Sequence, residues 1–369
     1  MKPLPPLARL PLLALGVIAL VVGVLAGLAR LGVAVPAPMA AQAGVHGALM
    51  IAAFLGTVIG LERAVALANA GGHCGHWPYL APLCAGLGGI VLATGQPVAV
   101  AQVQFVAAGT VLAAGSSLLL RRQMAIHLAV LAIGAACWLV GSITWMASGI
   151  IPAAVPWWMA FLVLTIAGER LELTRFLPPS PPARRAFVWI VGVQLFGLAM
   201  ATWRDDAGLR LFATSQLALA AWLLVQDIAR RNIRQTGLTR YIAACLLSGY
   251  GWLALAGLLG IAGGFSAGSP LRDAALHAVF LGFVFSMIFG HAPIIFPAVA
   301  KVRSPYHPFF YLPLALLHGS VLVRLLADLS MDLALGRAAG IANALALLLF
   351  IVVMITSVVC GRRASAVAP

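Results

Sequence analysis

Twelve apolar segments, each close to the length of a membrane-spanning helix, follow one another along the chain with short connections. A helix needs ~20 apolar residues to cross the hydrocarbon core of a bilayer. Charged residues make up 9% of the 369 residues, whereas a soluble chain carries about a quarter. The sequence therefore predicts an all-α, polytopic membrane bundle of about 12 transmembrane helices, in which residues 1–369 form a single integral membrane domain. The segments lie at residues 11–33, 44–68, 79–97, 99–120, 124–147, 154–176, 186–203, 208–228, 239–264, 273–299, 308–328 and 336–360.

The basic residues are distributed unevenly between the two ends of these segments. With the N-terminus inside, 17 of the 23 lysines and arginines fall on the cytoplasmic side and Arg324 lies within a helix. The positive-inside rule therefore predicts cytoplasmic termini, in the inner membrane of a bacterium. A lipid bilayer explains the net charge of +14 without a nucleic-acid partner. The first segment lacks a convincing small-residue cleavage site, which predicts a retained helix. The 5 outer basic residues are Arg30, Arg204, Arg210, Arg272 and Arg337.

The loops between the segments and the cysteines allow further predictions. Gly95-Gln-Pro97 separates the third and fourth segments. The prolines of residues 177–185 predict an extended connection between the sixth and seventh, and the arginines of residues 230–240 are expected at anionic headgroups. The five cysteines form no CxxC pair, so no disulfide framework is predicted. His73, Cys74 and His76 have a metal-like spacing, but one loop of such residues is weak evidence for a metal site.

Two histidines occupy matching positions in different apolar segments. His46 lies just inside the second segment and His277 just inside the tenth. In the predicted topology both segments run from outside to inside, so both histidines lie about one turn below the outer surface. An imidazole is costly in a bilayer without a partner, which makes intramembrane histidines functional candidates. Two at one depth on different helices suggest bis-imidazole ligation of a haem iron.

The face of the second segment below His46 allows two interpretations. The residues at helical spacing from His46 are Met50, Ala53, Thr57 and Gly60, and three of these four are small. Such a face suits a flat macrocycle lying against the helix. Small residues are equally typical of direct contact between membrane helices.

His291 follows His277 by fourteen residues, nearly four helical turns, so both point the same way ~21 Å apart. The second segment offers only Gly60 at the depth of His291, so the sequence favours one haem over two. Pro293 and Pro297 interrupt backbone hydrogen bonding beside His291. His291 is therefore either a ligand of copper or of substrate, or a histidine hydrogen-bonded to a freed carbonyl.

The remaining polar residues in the segments have structural interpretations as well as functional ones. His318 and His127 either join His291 in an inner polar cluster or are isolated core histidines, and the second interpretation is favoured. Glu62-Arg63 and Glu169-Arg170 form either neutralised pairs at helix ends or an inner patch that conducts protons or binds anions. Two further expectations are that Asp328 pairs with Arg324 one turn before it and that His307 is solvated.

Three stretches of the sequence resemble the NnrS family. They are residues 45–56 around His46, residues 250–255 (Tyr-Gly-Trp-Leu-Ala-Leu), and residues 274–282 around His277 with the following Gly290-His291. The resemblance implies a twelve-helix fold like subunit I of haem–copper oxidases, with haem b, and copper as a candidate second cofactor. It also implies that His46 and His277 are haem ligands and that the protein acts in nitric oxide metabolism and nitrosative stress.

The sequence also departs from the oxidase pattern. Oxidases of this fold carry copper-binding histidines in helices six and seven, and residues 154–176 and 186–203 contain no histidine. The oxidase copper centre is therefore absent, which argues against reduction of oxygen to water by that mechanism. Any copper must use other residues, of which His291 and His318 are the candidates.

Arg272 and Arg337 are candidate partners of the haem propionates. Both belong to the sparse outer set of basic residues, and a carboxylate near the outer surface favours a basic partner. The resemblance points to Arg337 as well, because the loop before the last helix supplies propionate-binding arginines in oxidase-type folds. The structural alternative is that both arginines anchor helix ends at the headgroups.

Three classes of function are consistent with these residues. The first is a haem protein that handles or senses nitric oxide, or that transfers electrons from a donor or within a respiratory or denitrification complex. The second is a proton-coupled secondary transporter that uses its intramembrane histidines. The third is a scaffold that assists assembly of such a complex. No Ser/His/Asp arrangement, Walker loop or nucleotide fingerprint indicates another activity.

Overall fold

The computed structural model describes residues 4–69, 75–173, 180–302 and 304–367. These residues form helices and the turns that join them, with no strand among them. The described part of the chain contains eleven helices long and apolar enough to cross a membrane. A shorter apolar helix lies where the third segment was predicted. The prediction of a polytopic membrane helical bundle is confirmed, and its likeness to haem–copper oxidases stays a prediction.

We number the membrane helices in chain order. They are α1 Pro6–Arg30, α2 Ala43–Asn69, α3 Trp77–Ala93 (the shorter one), α4 Val98–Arg122, α5 Ile126–Ser148, α6 Ile151–Leu173, α7 Pro181–Ala201, α8 Asp205–Gln226, α9 Gly237–Gly264, α10 Arg272–Pro297, α11 Pro308–Ser330 and α12 Leu333–Gly361. Helical backbone continues beyond α10 to Ala300 and beyond α12 to Val367. Two short helices, Ala37–Ala40 and Ala229–Asn232, lie in connections.

The chain divides into two compact units, Met1–Glu172 and Leu173–Pro369. In the first unit, α1 packs on α2 and α3, and α3, α4 and α5 pack in sequence. Close approach depends on glycines and aromatic rings: a Cβ at Gly134 would lie 3.2 Å from the Phe161 carbonyl oxygen of α6. Trp138 of α5 stacks on Phe161 with centroids 5.1 Å apart. Small residues thus let the helices of this unit approach one another closely.

In the second unit, neighbouring helices pack in chain order. Helices α7 and α8 form a tight hairpin, because a Cβ at Gly197 would lie 2.7 Å from the backbone nitrogen of Phe212. Helix α9 packs on α8 and on α10, and α11 packs on α12. The predicted single domain over residues 1–369 stays a prediction, and each unit is described by itself below.

Two predicted boundaries have different outcomes. Gly95 adopts φ +69° between α3 and α4, a left-handed conformation that favours glycine, and Pro97 precedes the first residue of α4. The predicted break is confirmed. Helix α7 begins at Pro181 and not at residue 186, because the Ser180 hydroxyl accepts a hydrogen bond from the Ala183 backbone nitrogen at 3.4 Å. Arg184 and Arg185 are therefore helical and not part of an extended connection, while residues 174–179 lie outside the described residues.

The prolines after His291 do not end their helix. Residues Ser286–Ala300 remain helical with Pro293 and Pro297 inside. Each proline removes one backbone hydrogen-bond donor, and the residues around it stay helical. The interruption of backbone hydrogen bonding predicted at these prolines therefore does not end the helix.

Stretches of π-helix interrupt three of the membrane helices. They cover Leu49–Leu55 in α2, Gly260–Gly264 at the end of α9 and Ala278–Phe285 in α10. A π-helix has more residues per turn than an α-helix and is frequent at functional sites. Two of the three directly follow the predicted ligand histidines.

Candidate functional site: two histidines with fixed rings

His46 is held against α1 by a hydrogen bond and by close packing. Its Nδ1 lies 2.7 Å from the Gly23 carbonyl oxygen, so Nδ1 carries the proton and donates it. The ring covers Gly27, where a Cβ would lie 2.7 Å from the imidazole Cε1. With Nδ1 protonated, the lone pair of the neutral ring is on Nε2. This geometry fixes both the tautomer and the orientation of the ring.

Helices pack against the small face of α2 below His46. A Cβ at Gly23 of α1 would lie 2.7 Å from Met50 Sδ, and one at Gly89 of α3 would lie 2.9 Å from Ala53 Cβ. Thr57 faces Gly16 of α1, and a Cβ at Gly60 would lie 3.1 Å from the Pro82 nitrogen of α3. The face serves helix packing. The expectation that a macrocycle lies along it is therefore wrong, because α1 and α3 fill the space.

His277 is fixed in a similar way but has charged neighbours. Its Nδ1 lies 2.8 Å from the Asp273 carbonyl oxygen one turn earlier, and 3.3 Å from the Asp273 carboxylate. Arg324 of α11 donates to the same carboxylate through Nε at 3.0 Å and through a second nitrogen. Arg324 also lies 3.6 Å from Asp328, which confirms the predicted pair. One guanidinium thus joins two carboxylates, one of which contacts the imidazole.

Asp273 is the functional candidate that sequence reasoning missed. It lies 51 positions from Arg324, so no local pattern links the two residues. Its position four residues before His277 was the available signal, because residues at that spacing share a helix face. The side chain of Arg324 is 8% exposed and that of Asp273 is 40% exposed, so the network lies near the edge of the unit.

His291 and His318 differ in the nitrogen that is available to a metal. His291 Nδ1 lies 2.6 Å from the Met287 carbonyl oxygen, which places the lone pair on Nε2. Pro293 frees the carbonyl of Phe289, so the carbonyl that the Nδ1 of His291 contacts is not the one that this proline frees. His318 Nδ1 accepts the Trp252 indole proton at 2.8 Å. A neutral His318 then carries its own proton on Nε2, which argues against metal ligation by this residue.

The predicted propionate partners lie at helix ends. Arg272 starts α10 and donates to the Phe265 carbonyl oxygen. Arg337 lies in the second turn of α12 and is exposed. Its expected place in the loop before the last helix is wrong, because α12 begins at Leu333. The propionate role of both arginines stays a prediction.

Most of the sequence matches a protein family. Residues 9–359 match the family described as "Domain of unknown function (DUF8744)". The chain belongs to the DUF8744 family. No curated protein matches it. The DUF8744 description assigns no activity, so the functional argument rests on the residues of this chain.

The charged pairs at the ends of α2 and α6 join across helices. Arg63 lies 3.1 Å from Glu62 and 2.8 Å from Glu169, while their side chains are 15–24% exposed. Arg63 thus bridges to Glu169 of the other helix as well as to its neighbour Glu62, because α2 and α6 bring their charged ends together. The Arg63 guanidinium offsets part of the charge of the two carboxylates, which agrees with the structural interpretation.

The other candidate ligands do not assemble into a metal centre. No group of three or more His, Cys, Asp or Glu side chains suited to a metal ion occurs within the described ranges. His127 lies at the start of α5, and His307 is exposed as predicted. Cys84, Cys137, Cys245 and Cys360 are free thiols. His73 and Cys74 lie outside the described residues.

Proposed function

We propose that this protein is a haem-binding integral membrane protein with His46 and His277 as iron ligands. The observation that carries the proposal is that both histidines have the same local structure. Each Nδ1 donates to a backbone carbonyl, at 2.7 Å for His46 and 2.8 Å for His277. Each histidine is followed within three residues by a π-helix, at Leu49–Leu55 and Ala278–Phe285.

The bond at Nδ1 supports the ligand role directly. Metal-binding histidines almost always donate their other ring proton to a carbonyl or carboxylate, which fixes the tautomer and aims the ring. In both residues the lone pair is then on Nε2. His291 has the same bond, at 2.6 Å, but no π-helix follows it. His291 is therefore a weaker candidate, for copper.

The residues fit a b-type haem in their ligand chemistry and restrict where the macrocycle can lie. The small face of α2 is closed by α1 and α3. A haem would therefore be held through Nε2 of His46 and would not pack along that face. A bound haem would supply one-electron redox chemistry. The protein would set the ligand orientation and, through Asp273, the charge beside His277.

The physiological role follows from the resemblance to NnrS proteins. A haem in this protein would act in nitric oxide handling, nitrosative stress or denitrification-linked redox metabolism. An electron donor or a respiratory complex would be its partner. Helices six and seven still lack the oxidase copper histidines, so copper, where it binds, would use His291.

The spectrum of the purified full-length protein tests the haem. We expect a Soret band and a pyridine haemochrome of haem b. His46→Ala and His277→Ala should each abolish the low-spin spectrum, because each removes one strong-field nitrogen. His127→Ala is the matched control, since this histidine lies at the start of another membrane helix. Wild-type spectra and haem content in both ligand variants would refute the assignment.

A second candidate function is proton-coupled transport. It is favoured by a charged network in which the Arg324 guanidinium joins the carboxylates of Asp273 and Asp328, and Asp273 contacts the His277 imidazole. Intramembrane carboxylates and histidines commonly relay protons in transporters. A colourless protein would favour this function. Proton flux into vesicles should then be lost in Asp273→Asn and kept in Asp332→Asn, a cap residue at the start of α12.

The proposed location is a bacterial inner membrane with both termini cytoplasmic. Reporter fusions at Gly237, the first residue of α9, and at Gly268, after α9, should report opposite sides. Reports from the same side would contradict the topology and the common depth of the two histidines.

A further inference from the structure

A groove opens between the first turns of α9 and α11. It has a volume of about 570 Å³ and is lined by Ile233, Arg240, Ala244, Tyr306, Pro308 and Tyr311. Small-molecule sites have volumes of roughly 300–1,000 Å³, so the groove can hold a ligand of lipid-headgroup size. Both helices are long and apolar enough to cross a membrane, which places the groove where a membrane helix meets water.

The floor of the groove is aromatic and fixed. Tyr241, which is fully buried, packs edge-on against Tyr311 with centroids 5.2 Å apart and against Tyr306 at 6.0 Å. Phe310 closes the cluster, at 5.6 Å from Tyr241. Packed rings in these positions hold the walls apart without a ligand. The exposed lining is mainly carbon, which suits an acyl chain or a glycerol backbone.

The rim of the groove is basic and lacks carboxylates. Arg240 is exposed, and it has no carboxylate partner within the described ranges. Residues 227–240 contain four arginines and a single carboxylate, Asp227. Asp227 is 4% exposed and accepts hydrogen bonds from the Ala229 nitrogen and the Tyr250 hydroxyl, both at 2.7 Å. On the opposite side the groove is lined by Tyr306, Pro308 and Tyr311, none of which is acidic.

Tyr306 adds a hydroxyl donor beside Arg240. Burial raises the pKa of the Tyr306 phenol above its ordinary value, and the nearby Arg240 guanidinium opposes this only in part. The phenol therefore keeps its proton at neutral pH. A guanidinium and a phenol together can donate several hydrogen bonds to a phosphate group.

We propose that this groove is a binding site for an anionic phospholipid. The phosphate would lie at Arg240 and Tyr306, and the glycerol and upper acyl chain would lie along Ala244 and Tyr311. The apolar walls favour a lipid over free inorganic phosphate, because they contribute binding energy only to a ligand that carries an apolar part. The missing carboxylates select an anionic headgroup over a zwitterionic one.

Native mass spectrometry of the full-length protein, titrated with phosphatidylglycerol or phosphatidylcholine, tests the site. The wild type should retain one phosphatidylglycerol in preference to phosphatidylcholine. Arg240→Gln should weaken phosphatidylglycerol binding about fivefold, the effect of one basic residue near an anionic headgroup, and Arg240→Lys should keep most of it. Arg184→Gln is the matched control, because Arg184 is exposed and lies three residues into α7 as Arg240 lies three residues into α9.

Two further experiments distinguish a lipid site from a site for free phosphate and from general surface attraction. Ala244→Trp should abolish binding of phosphatidylglycerol by filling the groove while leaving Arg240 in place. Millimolar inorganic phosphate, compared with sodium chloride at equal ionic strength, should not displace the lipid. Equal losses in Arg240→Gln and Arg184→Gln would indicate general surface attraction and overturn the proposal. Retained binding in a folded Ala244→Trp, or displacement by phosphate, would also overturn it.

Discussion

The segments around His46 and His277 have the same local structure but differ in the residues that surround the ring. In both, Nδ1 donates to a backbone carbonyl and a π-helix follows. His46 donates to another helix and packs on Gly27, a contact without charge. His277 donates within its own helix and contacts Asp273, which Arg324 holds. The local structure fixes where each ring points, while the neighbouring helices decide what charge it meets.

The difference has a functional consequence if both histidines bind iron. A carboxylate close to the Nδ1 proton strengthens the imidazole as a metal ligand more than a backbone carbonyl alone does, and His277 has such a carboxylate at 3.3 Å. His277 would therefore be the electronically tuned ligand. His46 would be the sterically fixed one, because its ring has α1 as a wall. Four predictions test this contrast, in order of decreasing effect.

The largest expected effect is on the stability of the charged network beside His277. Arg324→Gln leaves the carboxylates of Asp273 and Asp328 without their cation, and should lower the free energy of unfolding by about 2–4 kcal/mol. The value lies below that of a fully buried pair because the Asp273 side chain is 40% exposed. Thermal unfolding in detergent measures it. Adding Asp273→Asn should restore part of the loss, and the exposed Arg121→Gln should change little. If Arg324→Gln left the free energy of unfolding unchanged, the proposed energetic difference between the segments around His46 and His277 would be contradicted.

The second effect is on the packing of the His46 ring against Gly27. Gly27→Ala places a Cβ 2.7 Å from the His46 ring, and should destabilise the first unit by about 1–3 kcal/mol. It should also displace the imidazole and reduce the low-spin haem signal. Gly44→Ala is the control, because no atom lies within 4 Å of its Cβ. Equal unfolding temperatures for the two variants would show that the contact between the ring and α1 does not restrain His46.

The third effect concerns haem retention. Asp273→Asn removes the carboxylate beside His277 and should weaken haem affinity about tenfold, the usual loss when a partner of a ligand histidine is removed. It should also raise the reduction potential, because a negative charge near the iron favours the oxidised state. Asp332→Asn keeps the cap of α12 and should behave as the wild type. Haem titration and redox titration of both variants give the answer.

The smallest effect concerns the outer arginines. Arg272→Gln and Arg337→Gln should each lower the midpoint potential, on the order of tens of millivolts, because a positive charge near the iron favours the reduced state. The shift is small since Arg337 is exposed. Redox titration with haem content checked measures it. An unchanged midpoint in both variants would leave the two arginines as helix anchors, and the charge contrast would then rest on Asp273 alone.

The sequence alone predicted the order and approximate limits of the long apolar helices, eleven of which the described residues contain. Long apolar runs must be helical in a membrane, because a spanning segment has to satisfy its own backbone hydrogen bonds. Local chemistry also predicted the break at Gly95 and Pro97 and the pair of Arg324 with Asp328, since these depend on residues within one turn of each other.

Only the tertiary structure decided which side chains meet. Asp273 joins Arg324 across 51 positions and Arg63 joins Glu169 across 106. The small face of α2 packs against α1 and α3, because glycines on these helices let their backbones come close. The π-helices changed the spacing of residues in α2 and α10, which a constant period of 3.6 residues per turn does not predict. Hydrophobicity is a property of each segment, whereas the register between helices depends on how the whole surface packs.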